Sequence, residues 1–496
     1  MIRVVGSFDL VCEEAARAGG PARPVFELPH ALLTPGIVDA HTHFGEWALG
    51  RSRVQLAGSA TRAEAVGRVA AATPADGWIL GQGYDPNLWR DPPTREALDA
   101  AVPAVPVALD SHDVHALWVN SPALAACGIT RATPDPDGGR IVRDANGEPT
   151  GVLLERAVSL VTRRLPAVGP DRLLSAVAGA QTAAHRLGVT GIQNVEGPDV
   201  LAALRRLERE DRLRLRVLAH HALEGLDDAL AAGVRSGTGS HWLEAGGVKL
   251  FLDGALGSQT AWMLEPYRGS DGRGIEVLGL DAARDAVTRG AAGGIAAVVH
   301  AIGDAAVRRA LDLLEPLPRV GIAHRIEHLQ LVHPDDLGRA ARAGIVASMQ
   351  PAHLLTDIPL VERHWGARGA GAYAFRTLLD LGTRLVFGSD VPVETIDPRD
   401  GVYAALERVG RDGTPAGGWR AGEKLTFAET LAAYSESGWA AAGRRGKGGV
   451  VVAGGAADLV AWACDADAVL KDSGTAFKEG RAVLTVAGGE VMWRET

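Results

Sequence analysis

Two histidines one residue apart, His41 and His43, end the apolar run GIVDAHTH (36–43). In an extended strand, residues i and i+2 project from the same face, so this pair aims two imidazoles at one point. The pattern suits a pair of metal ligands, and it equally suits two polar residues at a strand end. Lys249 lies in GGVKLFLDGALGSQT. A lysine among apolar strand residues is costly unless its head is used or paired. Burial lowers its pKa and makes the neutral amine available. That amine can capture CO₂ as a carbamate, an anionic ligand able to bridge two metal ions; the other reading is a salt bridge to Asp253 or another carboxylate. His300 in AAVVHAIGD and His328 in RIEHLQL each stand at or near the end of an apolar run, a place also typical of hydrogen-bonded core histidines. Asp390 closes RLVFGSD, where an aspartate also caps turns.

The combination says more than its parts. Five apolar runs, in order, end in HxH, Lys, His, His and Asp. A fold that gathers strand ends would bring these residues to one centre, as parallel barrels do at their C-terminal face. Nitrogen and oxygen donors in this mix suit zinc, with Mn, Fe, Co or Ni as alternatives.

The elements that must position them follow a simple alternation. Strand-like runs occur at 36–43, 188–195, 213–220, 247–254, 296–304, 325–331, 345–353 and 384–390, with Ala/Leu/Arg-rich helical segments between them. Eight strand–helix units predict an α/β fold, a TIM-like (β/α)8 barrel over 36–444. Residues 44–160 exceed a single crossover and predict an inserted subdomain over the active face. Both chain ends, 1–35 and 445–496, show Val-rich runs broken by Gly and Asp. They predict a small β-sandwich-type domain built from the two termini.

Bulk properties exclude several classes. The chain has 496 residues, 47% of them hydrophobic and 22% charged, with net charge −9. No long Lys/Arg run points to nucleic acid, and no stretch of about 20 apolar residues points to a membrane span. Cys12, Cys127 and Cys464 form no CxxC pair, and the N-terminus lacks a signal-peptide pattern. A reducing cytoplasm is the expected compartment. Lysine occurs only at 249, 424, 447, 471 and 478, so a lysine inside a strand is less a matter of chance.

TPGIVDAHTH, GWILGQGYDPNLW, DVHALWVNSPAL, DGGRIVRDANGEPTGVLLE, VKLFLDGALGSQTA and FGSDVPVETIDP together resemble the amidohydrolase superfamily. The nearest likeness is the amidohydrolase-3 branch, which includes N-substituted formamide deformylase. The resemblance runs from about residue 34 to 465. It implies a binuclear centre holding two divalent ions, zinc by preference. His41 and His43 hold one ion with Asp390, His300 and His328 hold the other, and carboxylated Lys249 bridges them. It implies attack on a carbonyl carbon by a metal-bridging hydroxide, with Asp390 as catalytic proton acceptor and donor to the leaving nitrogen. The segment before HxH is shorter than the family pattern, which puts the form of the terminal β-domain in question.

Further candidates are substrate contacts. His115 and Glu155 match positions of the family's segments. Tyr84, Trp89 and Trp118 are potential walls of an apolar pocket, and equally core aromatics. His353 follows the seventh strand, and Asp304 either orients a ligand or caps a helix. His112, Gln82 and Gln259 are weaker candidates. The expected activity is hydrolysis of a small-molecule C–N bond, in an amide, N-acyl or N-formyl group. The alternatives are a metal-dependent lyase or decarboxylase on the same site and a non-catalytic relative. The expected partner is a small-molecule substrate, with neither nucleic acid nor membrane, and a homodimer is the default assembly.

Overall fold

The computed structural model describes residues 1–2, 27–28, 31–444 and 448–495. Cys12 and most of the N-terminal run lie outside them.

Eight parallel strands appear in chain order: Ile37–Thr42, Val189–Asn194, Arg216–Ala222, Leu243–Phe251, Ala297–Ala301, Arg325–His328, Val346–Met349 and Leu385–Phe387. Each pairs with the next, and Thr42 pairs with Val391, just past the eighth strand, which brings the first and last staves together. The architecture is a TIM-like barrel. Its strands read as continuous apolar runs because both faces are covered; all five residues of Ala297–Ala301 are buried.

The outer helices form for local reasons. Pro198–Arg209 starts with proline in its first turn, carries Asp199 there, and ends with Arg206 and Arg209. This arrangement complements the helix dipole. Its buried residues, Val200, Ala203, Leu204 and Leu207, recur at helical spacing and pack on the barrel. Each buried valine or leucine contributes about 1.5–3 kcal/mol, and a charge at Leu204 would unseat the helix.

Between the first and second barrel strands lies a six-stranded sheet of Val54–Gln55, Ile79–Tyr84, Val107–Ser111, Ala116–Val119, Pro149–Glu155 and Gly139–Arg143, in that spatial order. It has apolar clusters of its own on its two faces, one around Trp89 and Trp118 and one around Leu117 and Leu153. Its inner ends, at Tyr84 and Ser111–His115, reach the mouth of the barrel.

The chain ends build an antiparallel sheet in which Ala31–Pro35 pairs with Leu459–Ala463, followed by Arg481–Ala487 and Glu490–Arg494. Among the described residues this is one sheet of four strands, the part of the expected terminal β-domain that they contain. It is tied to the barrel by the Arg216–Asp458 ion pair and by Thr485 Oγ1, which donates to the His185 carbonyl at 2.7 Å. Cys127 and Cys464 are free thiols. Among the described residues no helix is long and apolar enough to cross a membrane.

Candidate metal centre

His41, His43, Lys249, His300, His328 and Asp390 come from five different barrel strands or the turns that follow them, and all sit toward the C-terminal end. Asp390 is the hub. Its Oδ1 lies 3.3 Å from His41 Nε2 and 3.4 Å from His43 Nε2, and its Oδ2 lies 4.0 Å from His328 Nε2. Ligand atoms of His41, His328 and Asp390 fall within 4.8 Å of one another. Lys249 Nζ is 3.4 Å from His41 Nε2 and 4.6 Å from the centre of the Phe251 ring. His300 stacks edge-on to His328, with ring centres 4.4 Å apart, while its Nε2 is 3.1 Å from the Gly254 carbonyl oxygen.

The backbone pays attention to these positions. Asp390 has φ +60° and His328 +69°, left-handed conformations that cost non-glycine residues about 1–3 kcal/mol. His328 ends its strand and Asp390 lies three residues beyond the eighth, and the two side chains approach each other at 4.0 Å. Gly388 precedes this turn, and a Cβ there would stand 2.4 Å from the His41 backbone nitrogen. Only glycine lets the eighth strand lie this close to the first. The Asp390 N–H then donates to the His41 carbonyl at 2.8 Å. Buried Asp39 accepts from the Ser389 and His41 N–H groups at 2.9 and 3.2 Å. Burial pushes the Asp39 carboxyl up to about 7.

The centre is buried and its charge states follow from that. Burial lowers His300 and His328 well below the usual imidazole range, with His115 and His300 respectively adding to the effect. Both therefore keep a lone pair free at neutral pH. Burial alone would raise Asp390, yet His41, the bond from His43 and His328 hold it well below the carboxylate range. Burial brings Lys249 down to about 8. Among the described residues, Lys249 has no carboxylate within ion-pair distance, so the salt bridge to Asp253 is absent. Asp253 instead accepts N–H bonds from Trp262, Gly303 and Ile302 at 2.8, 2.8 and 3.0 Å.

Two residues that the sequence reading passed over hold this array. Glu327 is fully buried and pairs with His41 Nδ1. Arg325, also buried, donates to Glu327, Gln193, the Ala40 carbonyl at 2.5 Å and Ser348 Oγ at 2.8 Å. The signal was present in RIEHLQL: two opposite charges at i and i+2 inside an apolar strand, sharing its inward face.

A cavity of about 320 Å³ opens onto the centre beneath the inserted sheet. Tyr84, His112, His115, Gln259, His328, His353 and Asp390 line it. His353 Nε2 lies 3.8 Å from Asp390 Oδ2. Glu155 is not itself on the wall; its Oε2 is 2.9 Å from His115 Nδ1. Burial would lower His115, but Glu155 outweighs it and raises the imidazole to about 9. Trp89 is not on the cavity wall: it stacks on Tyr84 at 5.8 Å in the subdomain core, the alternative the sequence also offered, and its indole N–H donates to the Ser59 carbonyl at 2.9 Å. The ring fills the core better than it would wall a polar cavity. Trp118 belongs to the same core. Asp304 opens the helix Asp304–Leu314 and accepts the Leu264 N–H at 2.8 Å. Gln82 borders a wider outer vestibule of about 920 Å³ that shares His112 with the inner cavity.

The family model described as "Amidohydrolase family" matches residues 25–492. The YtcJ protein of Bacillus subtilis (strain 168), named as an amidohydrolase, is 31% identical over 519 residues, covering 100% of this chain and 95% of that one. An N-substituted formamide deformylase of Arthrobacter pascens is 27% identical over 511 residues, covering 97% and 92%. Among solved structures, an uncharacterized metal-dependent hydrolase from Pyrococcus furiosus superposes with a TM-score of 0.71 at 29% identity, covering 92% of each chain.

Proposed function

The chain belongs to the amidohydrolase family, and from that premise we propose that it is a metal-dependent hydrolase that cleaves an amide, N-acyl or N-formyl C–N bond of a small molecule at the centre around Asp390. The observation that carries the reading is the convergence of His41, His43, His328 and Asp390 from three distant strand ends, with Lys249 3.4 Å from His41.

The donor set fits divalent metal. His328 Nδ1 and His353 Nε2 are buried without a hydrogen-bond partner, and buried polar atoms are normally satisfied. Neutral imidazoles beside an ionised carboxylate form a ready cation site of the nitrogen–oxygen type that zinc favours. In the proposal His41, His43 and Asp390 would hold one ion, His300 and His328 would hold a second, and Lys249, if carboxylated, would be the ligand shared between them. The lowered Lys249 pKa supports that last role. The neutral amine would add to CO₂, forming an N–C bond as one C–O π bond opens and releasing one proton; Glu327 and Asp390 favour the ammonium form, but burial outweighs them. When bound, such ions supply Lewis acidity, lowering the pKa of water and polarising a carbonyl.

The chain's own residues do the rest. Asp390 takes the proton of the attacking water and delivers it to the leaving nitrogen. Glu327 fixes His41 by binding its Nδ1, so that Nε2 faces the centre. His115, held by Glu155, and His353 border the substrate, and Tyr84 walls it. The complete donor set runs against a non-catalytic relative.

The test is metal content per chain, by plasma mass spectrometry on protein purified without chelator or added metal, followed by amine release from N-formyl and N-acyl amines. About two equivalents with amine release is expected. One equivalent would remove the bridging role of Lys249, and a chain that stays metal-free and inactive after zinc or manganese add-back would overturn the proposal.

A further inference from the structure

The helix Leu354–His364 starts at His353 and turns one face to the cavity, with His353, Thr356, Asp357 and Leu360 all on its wall. His353 marks the reaction end, 3.8 Å from Asp390. Asp357 lies one turn further along, about 5–6 Å away. Its Oδ2 accepts from Tyr373 Oη at 2.6 Å and from Gln330 Nε2 at 2.7 Å. Its Oδ1 accepts no hydrogen bond from the described residues. The two donors are themselves fixed. The Tyr373 N–H donates to the Gln330 carbonyl at 2.9 Å, and the Tyr373 carbonyl accepts from the buried Arg408 guanidinium at 3.0 Å. Asp357 is thus a carboxyl group, raised above its ordinary value by burial, that is locked through one oxygen while the other accepts no hydrogen bond from the described residues.

The remaining charges of the cavity point the same way. Its walls carry Asp85, Asp113, Asp357 and Asp390, and among the described residues no lysine or arginine. Asp85 binds Asn87, and Asp113 binds Ser111 and Ser258. The imidazoles of His112 and His115 already face Glu394 and Glu155. At the Asp357 end of the cavity, away from the metal-ligand candidates, an incoming carboxylate meets a carboxyl group and neither lysine nor arginine among the described residues. An incoming ammonium meets a pre-oriented acceptor.

Resting on the C–N hydrolase reading, we infer that the substrate carries a protonated amine about four to five bonds from the scissile carbonyl carbon, bound by Asp357 Oδ1, and that N-acyl amino acids are excluded. Asp357 is a specificity residue rather than a catalytic one.

Three formamides of matched length test this on the zinc-loaded protein: mono-N-formyl-1,3-diaminopropane, N-formylbutylamine and N-formyl-γ-aminobutyrate. A hydrogen bond to a charged group predicts kcat/KM for the amine at least about 10-fold above the butyl compound, with the carboxylate lowest. Asp357→Asn should bring the amine-to-butyl ratio down by a similar factor. A wild-type ratio near one, or a ratio that Asp357→Asn leaves unchanged, overturns the assignment. Calorimetric Kd values for the same three compounds separate the two readings. Binding selectivity without amine release overturns formamide hydrolysis and supports Asp357. Turnover without selectivity overturns Asp357 alone, and the absence of both overturns both.

Discussion

Glu327→Gln is the most informative single change, because it perturbs the centre without replacing any candidate ligand. The wild-type carboxylate is fully buried and binds His41 Nδ1 on one side and the Arg325 guanidinium on the other. Burial alone would raise Glu327, yet Arg325 and His41 hold it well below the carboxylate range. It is therefore an anion when the protein folds. Glutamine preserves shape and removes the charge. Arg325 then stays buried without its counter-ion, a defect that costs about 3–5 kcal/mol when one partner of a buried pair is lost. Its bonds to Gln193, Ala40 and Ser348 survive, which places the expected loss at the lower end, about 3 kcal/mol. The second effect is on metal. Without the carboxylate, His41 loses the partner that fixes its ring and raises its basicity, and such outer partners change metal affinity by about 10–100-fold. Chemical unfolding of the metal-free protein reads the first effect, and a competition titration with a chromophoric chelator reads the second. If stability falls while metal affinity stays within about twofold of wild type, His41 is not a ligand oriented by Glu327 and the reasoning fails.

Asp390→Asn should retain most metal, because one oxygen still donates, and should lose turnover by about 10²–10⁴-fold; amine release at the wild-type rate would remove its proton-transfer role. Lys249→Ala should lose metal on dialysis and recover part of its activity in a short carboxylic acid, and full metal with full activity would dismiss the carbamate. His112 lies 3.5 Å from Glu394, which overcomes the lowering effect of burial and raises the imidazole to about 9. A folded pKa above the unfolded value of about 6.5 gives stabilisation that is complete below pH 6.5 and fades as pH rises toward 9. Glu394→Gln should flatten that decline in thermal midpoint, and an unchanged pH profile would refute the pair's contribution.

The legible part of this protein was what local periodicity carries. HxH at a strand end, a lysine in an apolar run and single histidines closing later runs each obey a rule spanning a few residues. The eight-fold alternation of strand and helix then assigns those runs to one ring of strand ends. The order of the barrel strands follows from that alternation, and its interruption at 44–160 marks an insertion; that the insertion is a sheet and that the two termini pair are visible only in the folded chain.

Tertiary structure decided the partners. Glu327 meets His41 across 286 residues of chain, and Arg325 reaches Gln193 across 132; no local rule couples such positions. It also decided which of two equally legible roles a residue plays. Trp89 and Tyr84 are both aromatic residues in the same subdomain, yet one closes its core and the other borders the cavity. Asp253 was a plausible partner for Lys249 by sequence, but three backbone N–H groups at a turn claim its oxygens. The physical reason is common to all three cases. Side-chain direction along a strand is set by local backbone geometry, whereas the satisfaction of a buried charge or polar atom depends on whatever the closed barrel brings against it.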